Sequence, residues 1–109
     1  MGKKVEIYHL IEHEDNYQKM FRSYEFVTQY YGPINVKDYK KVYACQRAGF
    51  AATLDGIYEE FNIHHPGDYK AHSVSVGDVI ALTDSHGTKA HYVDDIGFVD
   101  ITDEFFKEV

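Results

Sequence analysis

The stretch from Thr53 to Leu82, TLDGIYEEFNIHHPGDYKAHSVSVGDVIAL, constrains the fold more than any other part of the chain. Leu54, Ile57, Tyr58 and Phe61 fall at i, i+3, i+4 and i+7, one face of an amphipathic helix. Thr53 is of the type that caps a helix N-terminus. Asn62 to Tyr69 is a polar connector closed by Pro66-Gly67, and the chain then reads as sheet, Val74, Val76 and Val79 to Leu82 flanking a turn or bulge signal at Gly77-Asp78. So short a helix is marginal in water by itself. Gly56 weakens it by a further ~0.5–1 kcal/mol relative to alanine. Tertiary packing must therefore hold it.

The remaining segments supply what it packs on. Lys4 to Ile11 alternates as a strand, with Val5, Ile7 and His9 on one face. Met20, Tyr24, Val27 and Tyr31 form a helical stripe within Asp15 to Tyr31, and Ser23 offers a later capped start. Gly32-Pro33 ends that helix. Asp38 to Gln46 reads as a second strand, Tyr39, Lys41, Tyr43 and Cys45 alternating with Lys40, Val42 and Ala44. Asp84 to Thr88 is a hairpin loop, Lys89 to Val93 its return strand, and Phe98 to Ile101 a last strand after the Asp94-Asp95-Ile96-Gly97 turn. Thr102 is placed to cap a final helical turn carrying Asp103 and Glu104, with Ile101 and Phe106 at the positions of a hydrophobic staple. The expected fold is a single α+β domain over residues 1–109. It has a bent antiparallel, partly mixed sheet of about five strands on two helices, ending in a three-strand meander.

Composition narrows the function classes. Ten tyrosines and seven phenylalanines without tryptophan suit half-buried sheet faces and binding surfaces alike. No apolar run approaches the ~20 residues that span a bilayer, and the start lacks a signal-peptide core. Gly2 is followed by Glu6 where N-myristoylation wants Ser or Thr. The single cysteine, Cys45, cannot form an internal disulfide, which fits a reducing cytoplasm. Asp84 to Val109 carries seven acids against two lysines, a net of −5 out of the chain's −7. That sign repels phosphate and argues against direct nucleic-acid binding. It suits either a solvated face or a basic partner.

The histidines, His9, His13, His64, His65, His72, His86 and His91, match no metal motif by spacing. His65, His72 and an acid such as Asp78 are the best of the poor combinations, and His65-Pro66 reads more simply as a connector fixed by side-chain hydrogen bonding. Ser73, Ser75, His72 and Asp78 contain triad residue types, but an extended chain points neighbours to opposite faces. Gly77-Asp78 is no phosphate-cradling loop. No catalytic residue, metal or cofactor is expected.

Four segments resemble the YodL-like domains, small bacterial modules often found in proteins carried by mobile elements. Ile57-Tyr58-Glu59-Glu60-Phe61-Asn62-Ile63-His64-His65-Pro66 is similar to the family's helix and N-x-H-P turn. His72-Ser73-Val74-Ser75-Val76-Gly77-Asp78-Val79-Ile80 resembles its S-L-S-V-S-D-V-V segment, with Gly77 in place of serine. Tyr92-Val93-Asp94 to Gly97-Phe98 resembles its Y-V-D-x-x-G-F ending, and Val5 to Leu10 fits its opening. The resemblance implies a fold and no reaction. Three readings follow. The first is a non-catalytic module binding a protein partner, a basic nucleic-acid-binding protein among the candidates, through an acidic, tyrosine-bearing surface. Asp94, Asp95, Phe98, Asp100, Asp103 and Glu104 are its expected contact residues. The second is an anti-CRISPR-like inhibitor whose acids occupy a basic nucleic-acid channel. The third is a small hydrolase or metal-dependent enzyme using the histidines. The sequence sets no oligomeric state.

Overall fold

In the computed structural model, which describes residues 2–108, strand β1 (Gly2–Leu10) is the spine of the domain. It pairs on one side with β2 (Tyr39–Ala48) and on the other with β3 (Val79–Asp84). β3 continues through a Ser85-His86 turn into β4 (Gly87–Val93), and β4 pairs with β5 (Phe98–Asp100). The sheet order is β2-β1-β3-β4-β5, and every pairing is antiparallel, so the mixed component expected from sequence is absent among the described residues. The expected C-terminal meander is β3-β4-β5.

Alternation along β1 and β3 feeds two cores, one on each face of the sheet. Val5, Ile7 and Ile80 pack with Ile57 and Phe61 of helix α2 (Leu54–Asn62). Tyr8, Leu10 and Val79 pack with Val27 of helix α1 (Tyr24–Tyr31) and Phe105 of the four-residue helix α3 (Thr102–Phe105). Val79 to Ala81 is therefore a continuous buried run, as a strand covered on both faces requires.

Local chemistry fixes the helix ends. Ser23 caps α1 by accepting from the Phe26 N–H, so the later of the two starts is the real one, and residues 14–21 form turns. Thr53 caps α2 by accepting from the Gly56 N–H. Gly56 is there for space. A Cβ at that position would lie 2.1 Å from the Phe50 carbonyl oxygen, so the short 3₁₀ turn Gly49–Ala52 can press against α2 only if residue 56 is glycine. Arg47 of β2 ties down the same helix, donating from Nε and Nη2 to the two Glu60 oxygens at 3.0 and 2.7 Å.

Four local expectations are corrected. The β1–β2 register slips between Ile7 and Tyr8, leaving Val42 as the extra residue of a bulge. The single alternation read along β2 is thereby broken: Tyr39 joins the α1 core, whereas Tyr43 and Cys45 pack on the α2 core. Thr102 is not a helix cap, because its hydroxyl donates to Asp100 and accepts from the Ala90 N–H. Phe105, not Phe106, enters the core, and Phe106 is exposed. Val74 and Val76 also lie outside any strand, in an irregular segment.

Candidate functional site

The β1–β3 ladder ends with Tyr8 opposite Val79, and one step further the register sets His9 opposite Asp78. His9 Nε2 lies 3.5 Å from Asp78 Oδ2, and both residues are buried, 1% and 4% exposed. The irregular segment 71–78 folds back over this end of the sheet. It stacks the exposed His72 ring on His9 at 3.6 Å and 8° from parallel. Its return is fixed by Asp78, whose Oδ2 accepts from the Ser75 N–H and whose own N–H donates to the Ser75 carbonyl. Gly77 makes that return with φ +101°, a conformation a serine would adopt only under strain, so the departure from the family pattern matches the backbone found here.

Tyr69, read from sequence as part of a polar connector, is buried behind the pair. Its hydroxyl donates to the His72 carbonyl at 2.6 Å and lies 3.1 Å from His9 Nε2. A carbonyl only accepts, so the Tyr69 proton is committed to it and Tyr69 Oη accepts from His9 Nε2–H. By the same logic His72 Nδ1 donates to the Ser73 carbonyl at 2.8 Å, which leaves the lone pair of the neutral ring on Nε2. Burial, then the neighbouring His72 and Lys40, push His9 down to about 3, whereas burial raises the Asp78 carboxyl to about 7. Burial and the nearby Asp78 also push the Tyr69 hydroxyl well up.

A cavity of about 130 Å³ opens onto this cluster. Leu10, Glu12, Met20 and Phe21 line one side, and His72, Val76, Gly77 and Asp78 the other. Phe21 has φ +62°, in the left-handed region that a phenylalanine rarely enters, and its side chain is 68% exposed.

Spacing did not find this cluster. His65 is not its third member. Its Nε2 is 3.0 Å from Ser73 Oγ, a bond that ties the connector to the following segment. Spacing along the chain gives His9 no metal partner, and strand register is what brings it to Asp78. His72, Ser75 and Asp78 do converge in part, because residues 71–78 form no strand and turn at Val76-Gly77, so the alternation rule does not carry through them. Cys45 is half-buried, and burial raises its thiol above the usual range, away from a reactive thiolate.

Of the six residues expected to contact a partner, Asp100, Asp103 and Glu104 line one cavity of about 740 Å³, and several are engaged within the domain. Asp94 Oδ1 accepts from the Tyr24 N–H at 3.0 Å and so anchors the start of α1. Glu104 accepts from the Tyr24 hydroxyl and, at 2.8 Å, from the Ile34 N–H. Burial and this carboxylate push Tyr24 up to about 12. Asp100 accepts from the N–H and hydroxyl of Thr102, which hold its carboxyl below the usual range. Phe98 meets Tyr58 edge-on on the α2 face, ring centres 6.3 Å apart. Asp95 and Asp103 remain exposed, Asp95 beside Ile96, which is 91% exposed at the tip of the β4–β5 turn.

The fold and this pocket define an α+β domain with a five-stranded antiparallel sheet covered on both faces and a histidine–carboxylate cluster at one end. A scan against known families matches the YodL-like domain over residues 4–105, nearly the whole chain, and the protein belongs to that family. Neither the curated proteins nor the solved structures give a significant match. Among the described residues no helix is long and apolar enough to cross a membrane.

Proposed function

We propose that this YodL-like domain is a non-catalytic protein-interaction module of a bacterial, mobile-element-associated protein acting in the cytoplasm. Its binding surface is the aromatic ridge of Tyr17, Phe21, Tyr30 and Tyr31 together with the acidic β4–β5 tip. Phe21 carries the reading. An exposed aromatic ring held in a strained backbone conformation contributes nothing to the core, and such strain concentrates where a chain presents a side chain to a ligand. The ridge is braced from below. Lys19 lies over the Tyr31 ring and Arg22 over the Phe26 ring, and the Tyr31 hydroxyl donates to Gln18. Asp94 links the start of α1 to the tip bearing Asp95 and Ile96. A partner with an apolar pocket and a basic rim fits this surface. Aromatic anchors supply most of the lasting affinity, and the charge steers encounter.

The inhibitor reading shares the charge argument and draws less support from the geometry, because Asp94, Asp100 and Glu104 are engaged internally. The enzyme reading rests on the Ser73–His65 contact. Among the described residues nothing orients His65 Nδ1, as a nucleophile's base requires.

The test compares capture from native lysate by three immobilised proteins. These are the wild type, Phe21→Ala with Tyr30→Ala, and Asp95→Lys with Asp103→Lys. Loss of the captured partner with the aromatic variant at every salt concentration, and loss of salt dependence with the charge variant, support the surface. Equal capture by all three, each with a native melting transition, refutes it.

A further inference from the structure

We propose that His9, His72 and Asp78 form a binding site for one divalent transition-metal ion of the zinc class. The donor atoms of the three side chains all lie within 4.8 Å of one another, and the set of two imidazoles and one carboxylate suits borderline cations. Asp78 differs from the acids around it. Glu6 holds Lys41 at 2.9 Å and Glu60 holds Arg47 at 2.7 Å, whereas Asp78 is buried against an imidazole with no lysine or arginine in salt-bridge reach among the described residues. A buried carboxylate calls for a compensating positive charge, and a metal ion would supply it.

The surroundings provide the rest of a site. The cavity of about 130 Å³ reaches His72 and Asp78 directly, giving an entry path and room for bound water, whose share of the liquid is ~30 Å³ per molecule. His72 Nδ1 is engaged with the Ser73 carbonyl, so Nε2 is the free donor, the arrangement by which outer partners fix a ligating histidine. Tyr69 stands behind His9 and holds the His72 backbone. The rings lie 3.6 Å apart and 8° from parallel, so ligation by both tilts the exposed His72 ring while its Nδ1 stays on the Ser73 carbonyl. His9 frees Nε2 by keeping its proton on Nδ1, and Asp78 binds as the carboxylate, releasing any proton it carries. Bound metal would tie segment 71–78 to β1 at the foot of the Phe21 loop.

The experiment is calorimetric titration of the full chain with zinc chloride, with cobalt(II) absorption as a second readout. One ion per wild-type chain is expected, with visible d–d bands of a nitrogen–oxygen site. His72→Ala, at an exposed position that the fold tolerates, should weaken binding at least about tenfold and abolish the zinc-induced rise in melting temperature. His65→Ala and His86→Ala should bind as the wild type does. An absence of stoichiometric binding, binding unchanged in His72→Ala, or binding lost in His65→Ala or His86→Ala would each overturn the assignment.

Discussion

The two faces of the sheet are covered by helices of similar modest length, yet they are held by different means. On the α2 face the attachment is mainly steric. Ile57 and Phe61 are fully buried, Gly56 allows backbone-to-backbone approach, and the Arg47–Glu60 pair closes the edge. On the α1 face only Val27 of α1 and Phe105 of α3 are buried from their helices. Polar links make up the difference: Asp94 to the Tyr24 N–H, Glu104 to Tyr24 and Ile34, Asn35 to the Glu104 and Lys107 carbonyls, and the Tyr92 hydroxyl to the Arg22 carbonyl. On the α2 side the exposed apolar side chains are Phe50 and Ile63, which flank the two ends of the helix. Latching on the other frees the outer side of α1 and its preceding loop to carry exposed aromatic rings.

The largest effects should separate the two mechanisms. Phe61→Ala removes a fully buried ring that touches Tyr43 and Tyr69 edge-on or tilted, and should cost about 3–5 kcal/mol, enough to unfold a domain this small. Glu104→Ala removes no core volume but leaves the Tyr24 hydroxyl and the Ile34 N–H without their acceptor. It should cost about 1–3 kcal/mol. Urea denaturation measures both. A Glu104→Ala loss equal to that of Phe61→Ala would show that the α1 face depends on its latches as heavily as the other depends on its core.

This difference also explains what could be read from the sequence. The α2 helix, its Thr53 cap and its buried stripe follow from local spacing, and so do the strands, because period-3.6 and period-2 patterns report packing directly. The polar latches join residues about 70 positions apart, as in Tyr24–Asp94 and Ile34–Glu104, and no local pattern announces them. The acids at 94 and 104 therefore looked like free surface charge. The His9–Asp78 pair is hidden for a related reason. It depends on the β1–β3 register and on an irregular return at residues 71–78, where valine spacing suggested strand.

That polar end of the sheet allows a second comparison, within one pair of residues. In metal-free protein, folding lowers His9 from 6.5 to about 3 and raises Asp78 from 3.8 to about 7. Between about pH 4 and 6.5 the unfolded pair carries one proton, on the histidine, and the folded pair carries one, on the carboxyl. The pair then contributes no pH slope. Asp78→Asn leaves His9 alone, whose folded value lies below its unfolded one, so stability should fall as pH drops below about 6.5. His9→Gln leaves Asp78 alone, whose folded value lies above its unfolded one, so stability should fall as pH rises from about 4 to about 7. Each slope approaches ~1.4 kcal/mol per pH unit at most. Urea midpoints from pH 5 to 7 in the presence of chelator check the signs, and parallel slopes in the two variants would show that the residues do not oppose each other.

The smallest expected effect tests the exposed face itself. Phe21 takes φ +62° and leaves most of its ring in water, so its side chain gives the folded state little in return for the strain. Such a residue carries of order 1–3 kcal/mol of backbone strain. Glycine accepts that conformation freely but loses more chain entropy on folding, about 0.5–1 kcal/mol. The balance for Phe21→Gly is a gain of about 0–2.5 kcal/mol before the loss of the ring's residual contacts around the cavity, a rare direction for replacing an aromatic residue, since most substitutions destabilise. The same variant should lose affinity for a partner that binds the ridge. Thermal melts and the capture assay on one preparation read both quantities. A rise in stability together with weaker capture would mean that the loop trades stability for a presented ring. A drop of more than about 1 kcal/mol would mean instead that Phe21 packs structurally with Met20 and Val76 around the cavity, and the binding surface would then have to be placed elsewhere on α1.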